Sequence, residues 1–191
     1  MEISVAIVGD MLIGKTSLIT KFVSYDYKKK YSDVKYADHF IEIITQKETV
    51  KAFKLQENEV NLTLKFFEAN DVPSLLKLSV PNIVIFAFDL SNIQSLISLR
   101  EFYRQLRCDC RYCDVILVGT KYDYFYTLAS KQQVFINKEV SKFVKAMNSI
   151  VFYVSIKTSN MDQLFQYVLN RVFNLHSDRN RKKMKEPIIL S

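Results

Sequence analysis

Residues 3–18 read Ile-Ser-Val-Ala-Ile-Val-Gly-Asp-Met-Leu-Ile-Gly-Lys-Thr-Ser-Leu. The apolar run 3–8 ends in Gly9; Asp10, Met11, Leu12 and Ile13 intervene, and Gly14-Lys15-Thr16-Ser17 follows. This is the spacing G-x-x-x-x-G-K-[ST] of a phosphate loop, with a buried-type strand before it and a helix-compatible stretch after it. The letters have physical reasons. Glycines let the backbone curl so that successive N–H groups point at phosphate oxygens, and the following helix offers its positive end to the same anion. In such a loop Lys15 reaches the β- and γ-phosphates and the Thr16 hydroxyl ligates Mg²⁺.

A chain of 191 residues fits one domain with a sizeable core. An apolar share of 49% and a charged share of 25% mark it as globular. Apolar runs such as 83–88 are far too short to cross a bilayer, and no secretory leader opens the sequence, so no integral membrane segment and a cytoplasmic location are expected. Cys108, Cys110 and Cys113 sit close together, while His39 and His176 are distant in sequence. A zinc site needs a fourth ligand, which makes reduced thiols at a helix end the stronger reading and a metal the alternative. The net charge of +7 is partly local, in Lys28-Lys29-Lys30 and in residues 179–185. Such runs are usually solvated faces or partner contacts. Aromatic residues are not interleaved with the basic ones as in a nucleic-acid module, so no nucleic-acid partner is expected.

Residues 16–25 suit a short helix, with Leu18, Ile19 and Phe22 at helical spacing. Residues 26–44 show no clean period and read as a long, mobile connection. Residues 50–67 read as a hairpin: Phe53 and Leu55, a polar turn at Glu57-Asn58-Glu59, then alternating Val60, Leu62, Leu64 and Phe66. Residues 68–81, with Asn70, Asp71, Pro73 and Pro81, read as loop or broken helix. Residues 83–89 form a short β-branched run typical of a buried parallel strand. Ser91 can cap a helix to about residue 107, with Leu96, Leu99, Phe102, Tyr103 and Leu106 inward. Residues 115–118 and 151–154 read as strands, 132–148 and 160–175 as helices. Alternating strands and helices imply an α/β fold around a mostly parallel sheet, with ligands at the carboxyl ends of its strands.

Two further motifs fall at those ends. Thr120-Lys121-Tyr122-Asp123 follows Gly119, and Asp123 can accept two hydrogen bonds from the ring N–H and exocyclic amine of guanine, a pair adenine cannot supply. Lys121 can lay its aliphatic stem along the base. Ser155-Ile156-Lys157 follows the strand ending at Val154, and its backbone can meet the guanine oxygen. Each tetrapeptide alone is a weak signal; in this order, behind a phosphate loop, they are strong. Together they resemble a Ras-superfamily small GTPase, with Thr120-Lys121-x-Asp123 in place of the usual Asn-Lys-x-Asp. Gly9-Asp10 with 13–18, Phe102-Tyr103-Arg104-Gln105-Leu106-Arg107, 118–123 with Phe125, 143–147 and 186–190 are similar to the fungal septum-promoting and mitotic-exit members.

The resemblance spans nearly the whole chain and implies a P-loop small-GTPase fold. That means a mostly parallel six-stranded sheet, one antiparallel edge hairpin and helices on both faces. It divides the chain into a nucleotide domain, 1–175, and a basic tail, 176–191. It implies a monomeric GTP/GDP switch with Mg²⁺ that acts at the spindle pole, recruits a protein kinase and is opposed by a GTPase-activating protein. The tail ends Ile-Ile-Leu-Ser without a cysteine, so no prenyl anchor is expected, and docking onto a protein suits the resemblance better than a membrane.

The hydrolytic half departs from the family. Residues 66–72 read Phe-Phe-Glu-Ala-Asn-Asp-Val where the family has Asp-x-x-Gly-Gln. Glu68 replaces the aspartate that holds Mg²⁺ through water, keeping the charge but adding a methylene. Asp71 replaces the glycine whose N–H meets the γ-phosphate, where an inward carboxylate would be repelled. Val72 replaces the glutamine that orients water, so no catalytic residue is assigned. Met11 and Leu12 fill the middle of the phosphate loop, where bulk would crowd an arginine finger. For the first switch two alignments stay open. Thr45 lies 23 residues before Glu68, as the family's Mg²⁺-binding threonine does, with about ten residues inserted before it. The other follows Tyr31-Ser32-Asp33-Val34 and leaves no threonine; the hairpin spacing favours Thr45. Three functions compete: a GTP switch with slow hydrolysis, a pseudo-GTPase scaffold with little or no turnover, and, least supported, a nucleotide kinase or ATPase sharing the loop.

Overall fold

The computed structural model describes residues 2–24, 35–45, 48–57, 60–78, 80–110, 112–158, 161–177 and 189–190. Its centre is the run read above as a buried strand, β5 (Ile83–Asp89), buried at every position. Successive side chains of a strand point to opposite faces. Accordingly Ile83, Ile85 and Ala87 join one apolar cluster, and Val84, Phe86 and Phe88 the other. A strand apolar on both faces needs helices on both, and the sequence supplies them.

On one face α1 (Lys15–Ser24) and α6 (Asp162–Ser177) pack against the sheet. Phe22 is the joint, with ring centroids 4.7 Å from Phe66 and 4.5 Å from Phe165. On the other face lie α2 (Val72–Leu78), α3 (Ile93–Asp109) and α5 (Ser130–Met147). They contribute Leu75, Leu96, Leu99, Leu106, Val140, Phe143 and Val144 to the second cluster.

β1 (Glu2–Val8), β4 (Val60–Ala69), β6 (Asp114–Thr120) and β7 (Ile150–Tyr153) flank β5. They give a parallel body of five strands in the order β4-β1-β5-β6-β7, extended by the two-residue strand β8 (Ile189–Leu190). The expected six-stranded sheet with one hairpin is therefore corrected. Beyond β4 the edge is a three-stranded antiparallel meander, because β2 (Lys35–Thr45) pairs with β3 (Glu48–Glu57), which pairs with β4. The additional strand, Lys35–Thr45, takes in residues 35–44 of the segment read as connection. Their alternation escaped notice because Tyr, Lys and His interrupt it, and pairing with β3 supplies what periodicity did not show. The remainder of that connection, and the turn at Asn58-Glu59, lie outside the described residues.

Smaller differences have local causes. Helix α3 is capped by Asn92, whose side chain accepts the Gln94 N–H at 3.1 Å, while Ser91 donates instead to Asp89 Oδ1 at 2.6 Å. The short helix α4 (Tyr122–Phe125) was not foreseen. It rests on aromatic packing, with the Tyr122 ring 5.8 Å from that of Tyr153 and 4.6 Å from that of Tyr126. Within 68–81 an ordered helix, α2, forms where loop or broken helix was expected, with Pro73 near its first turn where a missing N–H costs nothing. Cys110 and Cys113, just beyond α3, are buried free thiols, and Cys108 is exposed. Among the described residues no helix is long and apolar enough to cross a membrane.

Phe66 has no exposed surface and bridges α1 to the sheet. Replacing it, Phe66→Ala, is expected to cost about 3–5 kcal/mol, read as a lower urea midpoint at unchanged slope.

Candidate functional site

In a parallel sheet the segments leaving the carboxyl ends of the strands gather along one edge. Here they are the loops after β1 (Gly9 onward), β4 (Asn70-Asp71), β5 (Leu90-Ser91), β6 (Lys121) and β7 (Val154-Ser155). The first is confined by its neighbour. A Cβ on Gly9 would lie 2.3 Å from the Ala87 carbonyl oxygen, so only glycine lets the chain cross β5 at that point. Gly14 turns with φ +98° and Leu12 with φ +62°, curling the backbone before α1 begins at Lys15. Ile13 is buried and anchors the loop, whereas Met11 and Leu12 are 71% and 90% exposed. They stand at the middle of the loop with their side chains exposed.

Lys15 folds back over this loop. Its Nζ donates to the carbonyls of Gly9 at 2.9 Å and Asp10 at 2.7 Å, and to Asn70 Oδ1 at 2.8 Å. Burial pulls the ammonium below the usual lysine range, against the opposing pull of the Glu68 and Asp10 carboxylates. A buried cation of this kind gains from an anion placed beside it. The neighbouring Thr16 Oγ1 lies 2.7 and 3.0 Å from the two Glu68 carboxylate oxygens. Its single proton goes to the carboxylate, leaving lone pairs for a cation. The extra methylene of Glu68 thus spans to Thr16 directly. Ser17 is exposed on the first turn of α1. Among the described residues no cluster of three or more His, Cys, Asp or Glu side chains could hold a metal. A Mg²⁺ here would have to share its coordination between Thr16 and oxygens of a bound ligand. Thr45 ends β2 opposite Glu48, two strands out from β4. The competing stretch at Tyr31 to Val34 lies outside the described residues.

The residues after β4 do not point where a hydrolytic loop would need them. Asp71 Oδ1 accepts the Ser74 N–H at 2.7 Å and so caps α2, an arrangement that holds its carboxyl below the ordinary range. The carboxylate is thus engaged by α2, and the repulsion that an inward orientation would bring does not arise in this arrangement. Val72 has no exposed surface and belongs to the core between α2 and the sheet.

The second half of the edge is a polar lattice around Asp123. Thr120 is fully buried and donates to the Phe88 carbonyl at 3.0 Å, tying β6 to β5. Lys121 adopts the left-handed conformation (φ 59°) and donates to Asp89 Oδ2 at 2.7 Å. Buried Ser155 donates to Asp123 Oδ1 at 2.8 Å, and Lys157 Nζ lies 3.5 Å from Asp123 Oδ2. Burial alone would raise the Asp123 carboxyl, but the Ser155 hydroxyl and Lys157 outweigh it and hold it below the ordinary range, ionised and oriented. Ile156 closes the ring of motifs: its Cδ1 lies 3.0 Å from where a Cβ on Gly14 would sit. The phosphate-loop and base-type motifs, far apart in sequence, are therefore in contact.

Sequence reasoning missed Asp89 and Asn70. The signal for Asp89 was a carboxylate ending an otherwise apolar strand; Asn70 carried none beyond its place after β4. Burial opposes ionisation of Asp89, but hydrogen bonds from Lys121 and Ser91 prevail and its pKa falls below 3.8. A depressed carboxylate stabilises the fold above its unfolded pKa and loses that contribution as pH falls through the folded value. The stability advantage of wild type over Asp89→Asn is therefore expected to be constant at neutral pH and to shrink as the pH falls through the ordinary carboxylate range toward the lower folded value, as measured by denaturation at stepped pH.

Comparison with known proteins agrees with this architecture. Residues 4–174 match the Ras family. The chain is also 32% identical over 179 residues to septum-promoting GTP-binding protein 1 of Schizosaccharomyces pombe, an alignment covering 92% of this chain and 86% of that protein. A phosphate loop after β1, a base-type motif after β6 and a match of this extent lead to one conclusion: the chain belongs to the Ras family.

Proposed function

We propose that this chain is a guanine-nucleotide-dependent switch that binds GTP and GDP with Mg²⁺. The observation that carries the reading is the closeness of Ile156 to Gly14, whose Cβ, if present, would lie 3.0 Å from Ile156 Cδ1, which brings the phosphate-type and base-type motifs together at one edge of the sheet. In this reading residues 9–17 hold the phosphates, with Lys15 as the compensating charge. Thr120 and Lys121 support the base, Asp123 reads its N–H groups, and the backbone of Ser155-Ile156-Lys157 meets its oxygen. Thr16 would hold the metal together with oxygens of the nucleotide, helped by Glu68 through water and, on the alignment that keeps a threonine, by Thr45. When bound, Mg²⁺ would neutralise charge between the terminal phosphates.

Hydrolysis by the isolated chain is proposed to be weak. A buried valine offers no hydrogen bond to water, and the neighbouring carboxylate is committed to capping α2. Positioning is most of what a protein contributes to phosphoryl transfer, so its loss costs rate while leaving binding intact. A scaffold with bound nucleotide and no turnover is the second reading, favoured by the same buried Val72. The relative's name extends the proposal to septum formation; the resemblance stated from the sequence adds control of cytokinesis, a protein-kinase effector and an opposing GTPase-activating protein. In that role a monomer works in the cytoplasm at the spindle pole, residues 1–175 forming the nucleotide domain and 176–191 a basic tail for protein docking, the last part of which, β8, returns to pair with β7.

Two variants test the binding reading. Lys15→Ala removes the compensating charge and is expected to lower nucleotide affinity by at least about a hundredfold in equilibrium titration. Asp123→Asn turns one acceptor oxygen into a donor, so preference is expected to move from guanosine toward xanthosine nucleotides by about the same factor. Unchanged base preference would overturn the assignment of Asp123. Single-turnover assay with Mg²⁺ separates the two readings: slow release of phosphate supports the switch, and none supports the scaffold.

A further inference from the structure

Of the three residues that follow Ala69, two are spoken for. The Asp71 carboxylate caps α2 and Val72 is in the core. Asn70 is exposed at the groove, and its Oδ1 accepts from Lys15 Nζ at 2.8 Å. An ammonium has three protons. The other two go to the carbonyls of Gly9 and Asp10, so Asn70 completes the set.

Its backbone has little freedom to leave. The Ala69 carbonyl accepts the Gly9 N–H at 3.4 Å, fastening the end of β4 to the start of the phosphate loop. The side chain can rotate; the chain that carries it is pinned. In a loop of this type the backbone N–H groups cradle the inner phosphates and the lysine tip reaches the outer ones. Asn70 meets that tip from just beyond a different strand, β4, as a partner separate from the loop's own carbonyls. A phosphate oxygen taking Lys15 as partner displaces the carboxamide oxygen, and rotation then presents the Nδ2 donors to the same phosphate.

We propose that Asn70 is the residue by which this chain distinguishes a nucleoside triphosphate from a diphosphate, its carboxamide exchanging the Lys15 ammonium for the γ-phosphate. The inference rests on the nucleotide reading above and deepens it. Asn70 supplies a side-chain contact to the terminal phosphate from a segment whose carboxylate and valine are engaged elsewhere. With a diphosphate the β-phosphate can still take Lys15, but there is no γ-phosphate to accept the Nδ2 donors, and the start of α2 receives no new tie.

The test compares the affinities of wild type, Asn70→Ala and Asn70→Asp for GDP and for a non-hydrolysable GTP analogue, with Mg²⁺. Asn70→Ala is expected to keep its GDP affinity and to lose about tenfold in preference for the triphosphate, the size of one hydrogen bond to a charged group. Asn70→Asp is expected to lose more, because its carboxylate holds Lys15 and repels the γ-phosphate. Retained GDP binding shows that each variant is folded. If both nucleotides change by one factor, in either direction, or if the ratio does not move, the inference is overturned while the nucleotide reading stands. If wild type binds neither guanine nucleotide, that reading fails first and takes this one with it.

Discussion

The constraint from which the site follows is the close crossing of two backbones. Gly9 passes over β5 with no space for a side chain, since a Cβ would meet the Ala87 carbonyl at 2.3 Å. That approach turns the Gly9 and Asp10 carbonyls toward Lys15, which folds back onto both. It also places the start of β4's exit loop against the phosphate loop through the Gly9–Ala69 hydrogen bond. A larger residue at position 9 would push these three segments apart, and the cation would lose the oxygens that position it.

The same economy governs the far side of the groove. Thr120 and Lys121 are tied to the end of β5, one through a main-chain carbonyl and the other through Asp89. Asp123 is oriented by Ser155 from the next strand. Thr120, Lys121 and Asp123 thus each have a partner on or just beyond an adjacent strand, and the rigidity of a sheet buried on both faces is transmitted to this edge. Departures from the family are concentrated where the chain leaves β4, and there the structure resolves each into a definite job: Glu68 reaches Thr16, Asp71 caps a helix, and Val72 packs.

Much of this was legible in the sequence because it is written in short-range terms. The strand at 83–89 was recognisable from an unbroken apolar run, and the phosphate loop from glycines whose spacing has one structural use. The base-type motif was legible because it follows another such run. What escaped depended on pairing between distant segments. β2 exists because β3 offers it an edge, so the hairpin of β3 and β4 carries a third strand and is not itself the edge. The cap at Asn92 in place of Ser91 was decided by Asp89, which claims the serine hydroxyl. The direction of the Asp71 carboxylate could not be read from composition, since an aspartate before a short helix can cap it or face the groove. Asn70 and Asp89 became visible only when their lysine partners, 55 and 32 residues away, were in place.

The central claim is that one groove accepts triphosphate at one end and guanine at the other, while the residues that would activate water are engaged elsewhere. The most direct measurement is the nucleotide content of the purified full chain, extracted and identified after equilibration with a mixture of GTP and ATP in Mg²⁺. The account predicts stoichiometric guanine nucleotide and no adenine nucleotide. An empty chain, or one carrying adenine nucleotide, would contradict it.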